Sequence, residues 1–237
     1  MQLQNKILTW PEWRASLKQD DNTMQLISQV PDFDDVVVPE DYKQLWKDVS
    51  LEVQLRKAKS HDLTRAQTEQ CLSQLCKRPY YLTLLAKQFN AKNIVEVGTA
   101  QGLQFYSFAK SLLQTDGKVW SCDVQDVRNK QYSKLYEDNT TFCLGTSQNL
   151  ATIIDRKIDM YYIDGAHDYG DVIRDVVNLK DTQSDNCIWV FDDFDNRFGC
   201  SKDIKRLCEA KKTYKVYRVG DAASGNPNHQ AIIFGKL

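Results

Sequence analysis

The chain has 237 residues, 42% of them hydrophobic and 27% charged, the mixture of a globular protein that buries one sizeable core or two small ones. The formal net charge is -1 and basic residues are dispersed, with short clusters such as Lys77-Arg78, Lys205-Arg206 and Lys211-Lys212 read as solvated helix faces, so a nucleic-acid partner is not expected. No stretch approaches about 18 apolar residues and the seven cysteines are scattered without CxxC pairs, so a soluble, cytoplasmic protein with reduced, mostly buried thiols is expected, with no membrane partner.

Residues 1–85 read as a helical extension or lid, because they hold little β-like sequence. "VPDFDDVVVPEDY" carries two prolines and an acidic run and is expected to be a connecting loop. "DYKQLWKDVSLEVQLRKAK" has helical character, and Cys71, Leu72, Leu75 and Cys76 recur at helical spacing. Tyr42, Trp46, Tyr80 and Tyr81 could wall a pocket, although aromatics so placed more often belong to a core.

Residues 86–237 follow another rhythm. The apolar runs "NIVEVG", "KVWSCDV", "TFCLG", "DMYYID" and "NCIWVFDD" alternate with helix-like "LQFYSFAKSLLQ", "KQYSKLYED", "SQNLATIIDR", "DVIRDVVNLK" and "SKDIKRLCEAKK". That alternation implies right-handed βαβ units around a parallel sheet, hence an α/β fold. "YKVYRV" and "QAIIFG" are joined by "GDAASGNPNH", too short for a crossover helix, and should pair antiparallel.

Several polar groups fall where such a sheet binds ligands. In "VEVGTAQG", Gly98 and Gly102 flank a tight strand-to-helix turn that lets a ligand approach the backbone, or serves packing alone. Asp123 ends the second strand, where an acid can accept both hydroxyls of a ribose or merely cap the next helix. Asp164 ends strand four, and Asp192 and Asp193 end strand five beside it, so three carboxylates converge at the C-terminal edge. A hard divalent cation such as magnesium, calcium or manganese relieves their mutual repulsion; the metal-free alternative is an acidic loop with one acid capping a helix. His167 lies three residues past Asp164, where an imidazole can take a proton near neutral pH or anchor the loop.

Five parallel strands and a terminal hairpin resemble the Rossmann-like, seven-stranded class I S-adenosylmethionine-dependent methyltransferases. "IDGAHDYGDVIRD" followed by "VFDDFDNRFGCSKDIKRLCE" is similar to the metal-dependent sugar and natural-product O-methyltransferases of the macrocin and mycinamicin type, the DGxH group. The resemblance covers about residues 80–237. It implies that Glu96 and the loop Gly98, Thr99, Ala100, Gln101 and Gly102 cradle the methionine part of S-adenosylmethionine, and that Asp123 holds the ribose. "LGTSQNL" resembles the GxSQ turn of catechol-type enzymes, which would carry Ser147 and Gln148 to the adenine, although Ser147 could equally be an N-cap. Asp164, Asp192 and Asp193 would hold Mg2+, and His167 would deprotonate the acceptor hydroxyl.

One departure stands out: the group has a Gly-Gly turn before strand five where this chain has "DTQSDNC". The implied activity is Mg2+-dependent O-methyl transfer to a small hydroxylated acceptor, a sugar, glycosylated or other natural-product-like metabolite, by a monomer or homo-oligomer. Two alternatives are a non-catalytic S-adenosylmethionine-binding module and a nucleotide-dependent oxidoreductase. The absence of GxGxxG disfavours the latter.

Overall fold

The computed structural model describes residues 30–33, 35–53, 76–194, 197–212, 214–221 and 227–237. The helical spacing of Cys71, Leu72 and Leu75, and His61, lie outside the described residues. Before the sheet come α1 (Glu40–Trp46), a π-helical turn (Lys47–Leu51) and α2 (Lys77–Gln88). The acidic segment ahead of α1 is irregular, as its prolines foretell.

The alternating part runs β1 (Asn93–Val97), α3 (Leu103–Ser111), β2 (Lys118–Asp123), α4 (Lys130–Leu135), β3 (Thr140–Leu144), α5 (Ser147–Ala151), β4 (Ile158–Ile163), α6 (Asp171–Leu179), β5 (Gln183–Phe191), α7 (Cys200–Lys211), β6 (Tyr214–Asp221) and β7 (Pro227–Phe234). The seven strands form one sheet in the order β3-β2-β1-β4-β5-β7-β6. Pairs among β1 to β5 are parallel, and β7 runs antiparallel to both β5 and β6. The sheet is therefore that of the class I methyltransferases, as the rhythm of the sequence predicts.

Alternation along the central strands sends side chains to two cores. Met160, Tyr162, Ile188, Val190 and Ile232 join Leu82 and Leu85 of α2 and Phe105 and Phe108 of α3 on one face. Tyr161, Ile163, Trp189, Phe191 and Ile233 join Val176 of α6 and Ile204 and Leu207 of α7 on the other. Tyr161 and Trp189 stack with ring centroids 3.8 Å apart. The division between residues 85 and 86 falls inside α2, whose Leu82, Leu85 and Ala86 share the first core with the strands. Tyr81 and Trp46 are buried, Tyr81 donating its hydroxyl to Pro31 O at 3.0 Å, so both are core.

Strand five begins earlier than its apolar run suggests. Instead of a turn at "DTQSDNC", a 3-10 turn at Lys180–Thr182 leads straight into β5, and the register jumps from Ile158 opposite Gln183 to Met160 opposite Ile188. The Gln183 side chain secures this irregularity: it donates to Lys180 O (2.6 Å) and Leu237 O (2.9 Å) and accepts from Trp189 Nε1 (3.0 Å) and Leu237 N (2.7 Å).

Two basic clusters depart from the expected solvated faces. Lys211 is only 1% exposed and donates to Lys236 O at 2.9 Å, and Arg78 turns into the sheet edge described below. A long stem beside apolar surface can follow its charged tip inward when a partner waits there. Five of the six described cysteines are buried. Among the described residues no helix is long and apolar enough to cross a membrane.

Candidate active site

The turn after β1 is built for close approach. Gly98 has φ +94°, and a Cβ there would lie 2.0 Å from Asp164 O, so only glycine lets this turn pass against the end of β4. Gly102 starts α3 in the left-handed conformation. Ala100 also has a positive φ, 51° being that of Asn90 and 45° its own, and its amide donates to Asp123 Oδ2 at 2.8 Å.

Glu96 points from β1 into the protein, 1% exposed. Ser121 donates to its Oε2 at 2.6 Å, and Ser121 Oγ lies 2.5 Å from Thr99 Oγ1, so a chain of hydroxyls joins the acid to the glycine turn. Burial pushes the Glu96 carboxyl up to about 8; the Ser121 hydrogen bond opposes this and the charge of Asp123 adds to it.

Asp123 stands at the end of β2, partly exposed. Its Oδ1 takes the Gln125 amide at 3.0 Å and its Oδ2 that of Ala100, which orients the carboxylate and leaves lone pairs for further donors. Next to it protrude Val124, 71% exposed, and Leu144, paired with Asp123 across β2 and β3 and 65% exposed. The sequence reading named neither as a site residue, since an exposed apolar residue at or just past a strand end gives no signal.

In the turn after β3 the serine is not the N-cap. Thr146, not Ser147, occupies the N-cap of α5, and its amide donates to Asn149 Oδ1 at 3.0 Å. Ser147 is buried, donating to Asp175 Oδ1 at 2.6 Å and accepting from Asn178 at 2.9 Å. Gln148 is exposed.

At the next edge the sheet register does the placing. Ile163 lies opposite Phe191, Asp164 N donates to Val97 O at 2.9 Å and Asp192 N to Ile163 O at 3.0 Å, so Asp164 and Asp192 stand side by side. Both follow the face of Tyr162 and Val190, toward α2. Arg78 reaches them from α2: Nη1 is 2.6 Å from Asp192 Oδ2 and Nη2 is 4.0 Å from Asp164 Oδ2. The Tyr162 hydroxyl lies 3.0 Å from Asp164 Oδ2 and 3.2 Å from Asp192 Oδ2. Burial and the charge of Asp192 hold the Asp164 carboxyl well above its ordinary range, with Arg78 opposing them.

Asp193 has φ +54°, a left-handed conformation that aspartate tolerates better than most residues. The reversal points it away from Asp192 and to His167, whose Nε2 is 2.8 Å from Asp193 Oδ2. The imidazole is about half exposed and lies against Phe198, with ring centroids 4.8 Å apart. Its loop is tied to the start of α7, where Cys200 N donates to His167 O at 3.0 Å and Asp203 Oδ2 accepts from Gly170 N at 2.6 Å. Asp164, His167 and Asp193 each bring one ligand atom within 4.8 Å of the others. Arg78, Tyr162 and Gln230, which donates from β7 to Asp192 Oδ1 at 3.0 Å, were missed by sequence reasoning; a lysine-arginine pair on a helix resembles ordinary surface, and only the folded register shows where it reaches.

Residues 95–194 match a family model described as a methyltransferase domain. No curated protein sequence matches the chain. Among solved structures, the O-methyltransferase from Bacillus cereus in complex with SAH is similar with a TM-score of 0.60 and 14% identity, over 90% of this chain and 96% of that one. The O-methyltransferase TomG from Streptomyces achromogenes, involved in tomaymycin synthesis and bound to SAM, is similar with a TM-score of 0.56 and 14% identity, over 90% and 95% of the two chains. At that identity the likeness establishes a shared fold. Residues 95–194 thus match a methyltransferase domain, and the sheet that carries them has the class I topology.

Proposed function

We propose that this protein is an S-adenosylmethionine-dependent O-methyltransferase that uses a hard divalent cation, such as Mg2+, to methylate a hydroxyl of a small acceptor of the sugar or glycosylated-metabolite kind. The observation that carries this reading is the contact of the Gly98 turn with Asp164, because it sets a cofactor-type loop directly beside two carboxylates and an imidazole.

The residues suit both groups. Asp123 keeps acceptor capacity for a ribose diol, Val124 and Leu144 offer apolar surface for a flat base, and Gln148, which is exposed, would meet the polar edge of that base. Ser147, tied to Asp175 and Asn178, would support that turn from below. Glu96, Thr99, Ala100, Gln101 and the two glycines would form the wall around the amino-acid end. S-adenosylmethionine, when bound, supplies an electrophilic methyl group on a sulfonium.

Asp164 and Asp193 supply oxygen ligands suited to a hard cation, with His167 at hand. Such a cation, when bound, supplies positive charge that orients oxygen ligands and acidifies a hydroxyl. His167 would accept the acceptor's proton. Its Nε2 faces Asp193, so the hydrogen there is held by a carboxylate and Nδ1 is the nitrogen left to act as base. The helical extension would help choose the acceptor.

Calorimetric titration of S-adenosylmethionine into the full chain, with and without Mg2+, tests the reading. Saturable one-site binding, followed by Mg2+-stimulated methyl transfer in a screen of hydroxylated sugars, is expected. Absence of binding at millimolar cofactor refutes it.

A further inference from the structure

Asp192 differs from its two acidic neighbours in what already surrounds it. Only 3% of its side chain is exposed. Its Oδ2 takes Arg78 Nη1 at 2.6 Å and lies 3.2 Å from the Tyr162 hydroxyl, and its Oδ1 takes Gln230 Nε2 at 3.0 Å. The Gln230 carbonyl accepts in turn from the Tyr217 hydroxyl, which fixes the amide's orientation. Donors from α2, β4 and β7 thus converge on one carboxylate, and one of them is a guanidinium that does not lose its charge.

A buried carboxylate needs a positive partner, and this one has it without any added ion. A permanent cation 4.0 Å from Asp164 also opposes a divalent ion drawn toward the same edge. The remaining groups, Asp164, His167 and Asp193, are those whose ligand atoms lie within 4.8 Å of one another.

We infer that Arg78 is the resident counter-ion of Asp192, that Asp192 positions Arg78 and α2 instead of ligating a cation, and that the cation is held by Asp164 and Asp193 beside His167. This rests on the divalent-cation reading above. It moves one acid of the expected magnesium set out of the ligand shell and gives an arginine from outside the matched domain a defined task.

The test is Mn2+ binding to the full-length chain, read from the loss of the free-ion electron paramagnetic resonance signal, with far-ultraviolet circular dichroism as the check on folding. Asp192→Asn is expected to stay within about threefold of the wild-type affinity, and Asp164→Asn to lose at least about tenfold. Arg78→Gln should bind Mn2+ about tenfold more tightly, because a like charge has been removed, while Arg78→Lys, which keeps the charge, stays near wild type.

Loss of binding in Asp192→Asn to the level of Asp164→Asn overturns the inference and leaves the cation reading intact. A wild-type chain that takes up no Mn2+ overturns both. Should Asp192→Asn fail to fold, the arginine variants decide: equal affinities for Arg78→Gln, Arg78→Lys and wild type refute the resident charge.

Discussion

Glu96→Gln tests the electrostatics behind the glycine turn without any ligand. The carboxyl is 1% exposed and is held at about 8 in the folded chain against an ordinary value of 4.5, chiefly by burial. The folded protein therefore keeps a proton that the unfolded chain has released, so this group's contribution to stability is full below the unfolded value and is lost as pH rises toward about 8. At roughly 1.4 kcal/mol per pH decade, the loss has an upper bound of about 5 kcal/mol. Relaxation around the ionised group should bring the measured figure to about 2 to 3 kcal/mol.

Glutamine has no proton to lose, and its carbonyl can still accept from Ser121. Urea unfolding of wild type and Glu96→Gln at about pH 5 and about pH 9 should show the wild type losing about 2 kcal/mol or more relative to the variant across that interval. Other carboxyls, Asp164 included, titrate in both proteins and cancel in the difference. Parallel stability curves would mean that Glu96 ionises in the fold at no cost, and would refute the picture of a desolvated acid behind the turn.

Three further outcomes are expected. Asp164→Asn should reduce cation-stimulated turnover at least about 100-fold while S-adenosylmethionine affinity, measured calorimetrically, changes by less than about threefold; full activity removes Asp164 from the cation site. His167→Ala should lower kcat by roughly 100- to 10,000-fold with little change in the acceptor's KM, and an unaltered pH-rate profile would dismiss it as the base. Gly98→Ala forces a Cβ to within 2.0 Å of Asp164 O at a positive φ and should cost about 2 to 4 kcal/mol by urea unfolding; a variant as stable as wild type would show that the turn and β4 can separate freely.

Much of the sheet was legible because its strands are short apolar runs separated by helical periods, and period is a local property of sequence. The paired acids were legible too, since residues that end neighbouring parallel strands must share an edge. What lay beyond reach depends on direction. Asp192 and Asp193 look equivalent in sequence, yet the left-handed backbone at Asp193 sends one to Arg78 and the other to His167. Arg78 lies 114 residues from its partner, and no periodicity encodes that distance. Gln183 stands in the segment where the resembled group has a Gly-Gly turn; here its amide satisfies four backbone and side-chain groups within a strand.

The grip on Asp192 also gives the site a place in time. Arg78 precedes the sheet and Gln230 comes from β7, its last strand, 38 residues after Asp192, so the carboxylate is enclosed only when the hairpin has folded back beside β5. Pairings of such long sequence separation form late, because loop closure must be overcome before they contribute. During synthesis the parallel strands can assemble while this edge is still solvated and its acids repel. Maturation of the reactive edge then coincides with completion of the sheet, and a chain stalled before β7 carries the glycine turn but not an ordered Asp192.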